Sequence, residues 1–284
     1  MTTQDITPIQ HLGDYYFKRD DLFVPFDFSP ANGSKLRQCM ILCEKNAERA
    51  KNGLYTGTSI HSPQAVITAS VAKSMGVPCT IVYGGTTAES LARNKYARIC
   101  EMLGARIEIG SKLGYTAVLT NKAKEIADNN NGFNIQYGFD LRNNADVFIG
   151  SVANQVQNIP NHIDYLVITI GSAITAIGVL LGIEKYNKQV GRVIGVGCAP
   201  NRENKIKEYA EIVKQNTGYN VPIHLLRYYD CFSKMRGYKY ENTMKESYMG
   251  ITFHPRYEAK TFNFMKKYVP KNARTLMWVT GHEM

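Results

Sequence analysis

Short apolar runs alternate with helix-patterned segments along most of this chain, and that alternation constrains its fold more than any other feature. Apolar stretches at 79–83, 106–109, 133–137, 165–170, 193–198 and 275–279 read as strands. Between them, 64–75, 88–103, 115–128, 145–157, 174–186 and 202–215 read as helices, 88–103 with apolar residues spaced by three and four and 202–215 polar and amphipathic. Upstream, 15–22 starts as a strand and passes into a charged turn, and 36–49 reads as a helix. Strand–helix alternation predicts an α/β fold with two open, twisted, mostly parallel sheet domains carrying helices on both faces. The expected smaller domain is 42–147, and the larger joins 1–41 to 148–284, with a break near 140–146.

Composition removes several classes. Hydrophobic content of 44% and charged content of 20% are those of a globular protein. The longest apolar run, 165–183, is broken by Gly171, Ser172 and Thr175, so it reads as strand–turn–helix and not as a membrane span. Residues 1–14 lack a basic cluster followed by an apolar core, so no secretory signal is expected. Six cysteines form no Cys-x-x-Cys pair, which predicts reduced, buried thiols, a cytoplasmic setting and no metal site.

Four local features carry chemistry. The run Ser29-Pro30-Ala31-Asn32-Gly33-Ser34-Lys35 delivers Lys35 from a turn to a helix start. Gly171-Ser172-Ala173-Ile174-Thr175 joins a buried strand to a helix, where backbone N–H groups and the Ser172 and Thr175 hydroxyls suit a dianion. Ser62 precedes Pro63 at a helix start, and Tyr257-Glu258 places a carboxylate beside a phenol. Taken singly, these are a surface lysine, a common turn, an N-cap and a helix-start glutamate. Together they supply what pyridoxal phosphate needs: Lys35 as Schiff-base amine, Gly171, Ser172 and Thr175 as phosphate cup, Glu258 for the pyridine nitrogen, and Ser62 and Tyr257 near the reacting carbon.

Order and spacing strengthen the set. Phe17-Lys18-Arg19-Asp20-Asp21-Leu22 resembles a "KREDL" run, and Asn32-Gly33-Ser34-Lys35-Leu36-Arg37 a "GGNKxR" motif. Ser59 to Gln64 falls where "GIQSNxxR" is expected, with Ser62 27 residues after Lys35. Gly171 to Gly178 resembles "GSGGTxAG", and His254-Pro255-Arg256-Tyr257-Glu258-Ala259-Lys260 resembles "DPVYEGK". These motifs belong to fold-type II pyridoxal-phosphate enzymes, and the chain most resembles the branch of 1-aminocyclopropane-1-carboxylate deaminase and D-cysteine desulfhydrase. That resemblance implies pyridoxal 5'-phosphate held between the two domains, a Cα carbanion, and a homodimer. Pro63 departs from an asparagine of the pattern, Ala173 and Ile174 from two glycines, and Val279-Thr280-Gly281-His282 from "HTGG". The resemblance therefore implies the cofactor and not the substrate.

Charge adds a second expectation. Residues 1–184 hold 16 Lys and Arg against 16 Asp and Glu, whereas 185–284 hold 18 against 8. Within 227–274, 11 basic residues are interleaved with aromatics, among them Tyr228, Tyr240, Phe253, Phe262 and Phe264. Cations with aromatic faces between them suit a nucleic-acid strand. Three functions follow: a lyase or deaminase acting on a free amino acid, the same chemistry (decarboxylation or elimination) on an amino-acid group attached to DNA or RNA, and a non-catalytic binding descendant. The joint presence of Lys35 and Glu258 argues against the last.

Overall fold

The computed structural model describes residues 1–111, 115–139 and 144–284. They group into two compact units, one from Met1–Phe23 with Leu141–Glu283, the other from Val24–Asp140 with Met284. The helix bearing Lys35 therefore groups with the second unit, where the sequence reading began the smaller domain at 42. Of 140–146, where the break is expected, residues 140–143 lie outside the described residues.

The chain opens with β1 (Ile9–Leu12), β2 (Tyr15–Arg19) and a 3-10 turn, Asp20–Leu22, in the first unit. The second unit follows as α1 (Gly33–Lys45), α2 (Ala47–Ala50), β3 (Leu54–Ser59), α3 (Gln64–Met75), β4 (Cys79–Gly84), α4 (Ala88–Ala92), α5 (Lys95–Met102), β5 (Arg106–Ser111), α6 (Thr116–Asn129) and β6 (Phe133–Asn134). The first unit resumes with α7 (Ala145–Ala153), β7 (His162–Ile170), α8 (Ile174–Lys185), β8 (Gln189–Gly197), α9 (Glu203–Thr217), β9 (Leu226–Tyr229) and α10 (Cys231–Lys234). It closes with the hairpin β10 (Ser247–Tyr248) and β11 (Ile251–Thr252), then α11 (Glu258–Tyr268) and β12 (Thr275–Val279).

In the second unit the strands lie in the order β5-β4-β3-β6, all parallel. β3 and β4 are buried almost throughout, as expected of a parallel strand covered on both faces. Gly57 lets α6 close on β3, for a Cβ there would meet the Leu119 carbonyl oxygen at 2.2 Å. The helix expected over 88–103 divides because Asn94 accepts from the N–H groups of Tyr96 and Ala97, both at 3.0 Å, and starts α5 anew. The strand expected over 133–137 stops at Asn134, since Gln64 captures the next turn: its Nε2 donates to the Gln136 carbonyl and its Oε1 accepts from the Gly138 N–H.

In the first unit the order is β1-β2-β12-β7-β8-β9, with β1 antiparallel and the rest parallel. Its core is aromatic on one side: Phe253 stacks on Phe262 at 4.6 Å, with Phe17, Tyr15 and Tyr248 around them. At the start of this unit the buried charges are paired, as burial requires. Asp20 accepts from Thr7 (2.6 Å) and the Trp278 indole (3.0 Å), and Lys18 Nζ donates to the Thr7 carbonyl and Asn158.

Strand order locates a crevice in each unit. Parallel sheets take ligands at the carboxyl ends of strands where the winding direction reverses. In the second unit that point lies between β3 and β6, and in the first between β7 and β12.

Candidate active site

The second unit's reversal point carries Ser62 and leads to Lys35. Thr58 and Ser59 end β3, and both hydroxyls are buried without a hydrogen-bond partner among the described residues. The Ser62 N–H donates to the Ser59 carbonyl (3.1 Å), and its Oγ accepts from the Gln64 N–H (3.3 Å). Ser62 thus works beside Pro63 as a helix-entry residue, with α3 starting at Gln64. The turn that Gln64 holds leads to Phe139, whose ring lies 5.6 Å from Lys35 Nζ. Gly33, with φ +83, turns the chain into α1 and sets Lys35 on its first turn. Lys35 is only half-buried by solvent exposure but densely packed about its ammonium, and burial lowers it to about 8 from 10.5.

The first unit's reversal point carries the other predicted residues. Gly171, Ser172 and Ala173 link β7 to α8, whose start has no side-chain cap. Ala173 takes the left-handed conformation (φ +74), so a non-glycine occupies a glycine-type position of this turn. Ala173 and Ile174 are both buried, while Ser172 and Thr175 remain partly exposed. At the end of β12, the strand that pairs with β7, Glu258 opens α11 at 1% exposure. The Thr280 N–H (3.3 Å) and hydroxyl both donate to its Oε1. Burial pushes the carboxyl up to about 7, with Asp21 adding to the rise and Thr280 opposing it. The Tyr257 ring lies 4.9 Å from His254 and 5.7 Å from Tyr240.

Two residues here escaped the sequence reading. His254 is buried, its Nδ1 accepts from the Arg256 N–H (3.2 Å), and its Nε2 has no partner among the described residues. Its imidazole is lowered to about 4, by burial first and then by Arg256, His282 and Lys260. Arg202, after β8, donates from Nε to the Gly171 carbonyl at 2.8 Å. Arg202 has no motif because it matters through Gly171, distant in sequence, and His254 stands where the resembling run has an aspartate, so its burial gives no signal in the sequence.

The basic segment needs correction. Tyr238, Phe253, Phe262 and Phe264 are core residues, so these aromatics cannot stack on bases. Lys260 is buried too, its Nζ donating to the Lys239 (2.8 Å) and Tyr238 (3.4 Å) carbonyls. Helical periodicity in α11 turns the aromatics inward against Phe17 and Tyr229, a periodicity that composition does not register. Arg256 is partly buried, donating to the Tyr240 (2.8 Å) and Glu241 (3.1 Å) carbonyls, while Lys234, Arg236, Lys239, Lys245, Lys267 and Lys271 are exposed.

Among the described residues no group of three His, Cys, Asp or Glu is placed to hold a metal, and no helix is long and apolar enough to cross a membrane. A family model described as pyridoxal-phosphate dependent enzyme matches residues 4–226. The chain belongs to this family.

As a pyridoxal-phosphate dependent enzyme, it takes pyridoxal 5'-phosphate as cofactor. Its residues fit the group: a lysine that releases its proton near neutrality, orphaned hydroxyls at one strand end, an uncapped helix start, and a carboxyl balanced near 7. Over 94% of its length it is 23% identical to the O-seryl-dTMP PLP-dependent decarboxylase of Salmonella phage ViI, covering 77% of that protein. Over 79% of its length it is 26% identical to a 1-aminocyclopropane-1-carboxylate deaminase-like protein of Pyrococcus abyssi, covering 71% of it. The crystal structure of an ACC deaminase homologue shares the fold with a TM-score of 0.76 at 21% identity, covering 98% of this chain and 89% of that one. Threonine deaminase isoform 2 of Solanum lycopersicum has a TM-score of 0.64 at 14% identity, covering 98% and 84%.

Proposed function

We propose that this enzyme decarboxylates an amino-acid group carried on a nucleotide of DNA or RNA. The supporting observation is the match over 94% of the chain to a decarboxylase named for a seryl-nucleotide substrate. It agrees with the exposed cations on the segment that also holds Tyr257 and Glu258.

When bound, the cofactor supplies an electron sink for negative charge at the substrate Cα. Lys35 would hold it, since a densely packed amine lowered to about 8 is neutral far more often at neutral pH than an ordinary lysine. Ser172, Thr175 and the N–H groups opening α8 would hold its phosphate, with Gly171 giving the turn room. Glu258 would face the pyridine nitrogen, where a carboxyl poised near 7 shares a proton and keeps the ring positive. Ser62 and Tyr257 would flank Cα, one orienting the substrate and the other returning a proton to carbon. A homodimer and a cytoplasmic setting belong to the same reading, the latter in keeping with six free, buried cysteines.

The test uses the loaded enzyme with an oligonucleotide carrying O-seryl-thymidylate, and with free L-serine and 1-aminocyclopropane-1-carboxylate. Carbon dioxide should be lost from the oligonucleotide, and polynucleotide binding should weaken steeply as salt rises. Turnover of a free amino acid, with negligible polynucleotide binding at low salt, would overturn the reading. That outcome would favour the second one, a lyase or deaminase for a free amino acid, which is supported by Tyr257-Glu258 in its deaminase-like run and by the deaminase relatives.

A further inference from the structure

Arg202 is built into the Gly171–Thr175 turn from the neighbouring strand. β8 lies beside β7 with Gly197 opposite Ile170, so the turns leaving these strands are adjacent. The Arg202 backbone N–H donates to the Tyr228 hydroxyl (3.2 Å), and its Nε to the Gly171 carbonyl (2.8 Å). The first bond holds the backbone at Arg202 and the second holds its side chain against the turn. No carboxylate among the described residues pairs with the guanidinium, and its terminal nitrogens donate to no described residue. The outcome is a tethered, unneutralised cation held against the turn that leads into an uncapped helix start.

We propose that Arg202 is a phosphate-binding residue of the cofactor site, its terminal guanidinium nitrogens donating to the phosphate oxygens at this turn. The proposal rests on the assignment of the turn to the phosphate. It answers a difficulty raised by the turn itself: Ala173 and Ile174 stand where the resembling pattern has glycines, which limits how closely a phosphate can approach the backbone. A guanidinium compensates from the side, because its planar fork matches a phosphate edge and its charge does not titrate. Space exists for the group, since a Cβ built on Gly171 would meet nothing within 4 Å.

The experiment titrates apo-protein with pyridoxal phosphate and, separately, with pyridoxal, which lacks the phosphate. Arg202→Met should weaken pyridoxal phosphate binding about tenfold, the size of one charge-assisted hydrogen bond, and leave pyridoxal binding within about twofold. Arg202→Lys should recover part of the loss. Unchanged pyridoxal phosphate affinity in Arg202→Met overturns the proposal, and so does an equal loss for both ligands, which would mean that Arg202 only braces the fold. Ser172→Ala separates the two layers. If it weakens pyridoxal phosphate binding while Arg202→Met does not, the arginine fails alone. If neither variant changes it, the turn is not the phosphate site and both assignments fall.

Discussion

Glu258 and Thr280 close on each other at the carboxyl end of β12, the hydroxyl and the N–H of Thr280 both donating to one carboxylate oxygen. Neutral donors are weaker compensation for a buried charge than a cation, and among the described residues no cation pairs with Glu258. Its carboxyl consequently titrates near 7, well above the 4.5 of an unfolded chain. Between those values the folded protein keeps a proton that the unfolded chain has released, so stability falls as pH rises through that window. Glu258→Gln removes the effect. Thermal melts of apo-protein should favour the variant over the parent more at pH 8 than at pH 5, and a pH-independent difference would contradict the assignment. Turnover should meanwhile drop about 10²-fold.

His254 predicts the opposite slope. Its imidazole stays neutral down to about 4 in the folded protein, against 6.5 unfolded. As pH falls from 6.5 to 4 the unfolded chain gains a proton that the folded one refuses, and stability is lost, by at most about 3 kcal/mol. His254→Gln should flatten the acid limb of the stability curve, measured by urea unfolding. A limb unchanged in shape would show that other groups set it.

Gly57 tests the packing of the second unit. A methyl group there meets the Leu119 carbonyl carbon and oxygen, which are main-chain atoms and cannot rotate away. Gly57→Ala should cost upwards of about 2 kcal/mol through displacement of α6 from β3. Calorimetry on the variant checks this, and an unchanged melting temperature would refute the close approach.

Lys35→Ala should abolish both turnover and the visible absorbance of the loaded enzyme if, as proposed, its amine holds the cofactor. Circular dichroism should stay that of the parent, since Lys35 forms no ion pair among the described residues. A variant that retains the absorbance would place the attachment at another lysine.

The regular parts of the fold were legible because they obey one period. α3 and β12 begin and end where the apolar pattern does, 64–75 and 275–279. The pattern failed where a side chain competes with the backbone, as Asn94 does inside 88–103 and Gln64 does after Asn134. It also passed over α11, whose inward Phe262 and Phe264 were counted with a basic surface run. Candidate residues with a fixed offset, such as Ser62 after Lys35, could be named from sequence. Arg202 and His254 could not, because their meaning lies in the Gly171 carbonyl and in an unpartnered nitrogen.

The place of β12 bears on how the protein is made. It is the last described strand in chain order, yet it lies between β2 and β7 and hydrogen-bonds to both. During synthesis the first unit must wait with a gap at the middle of its sheet, the exposed edges of β2 and β7 facing each other unpaired. The second unit has all its strands by Asn134 and is free to fold long before. A ribosome paused after α11 would therefore display one finished half and one sheet lacking its keystone, a species suited to aggregation or to capture by a chaperone.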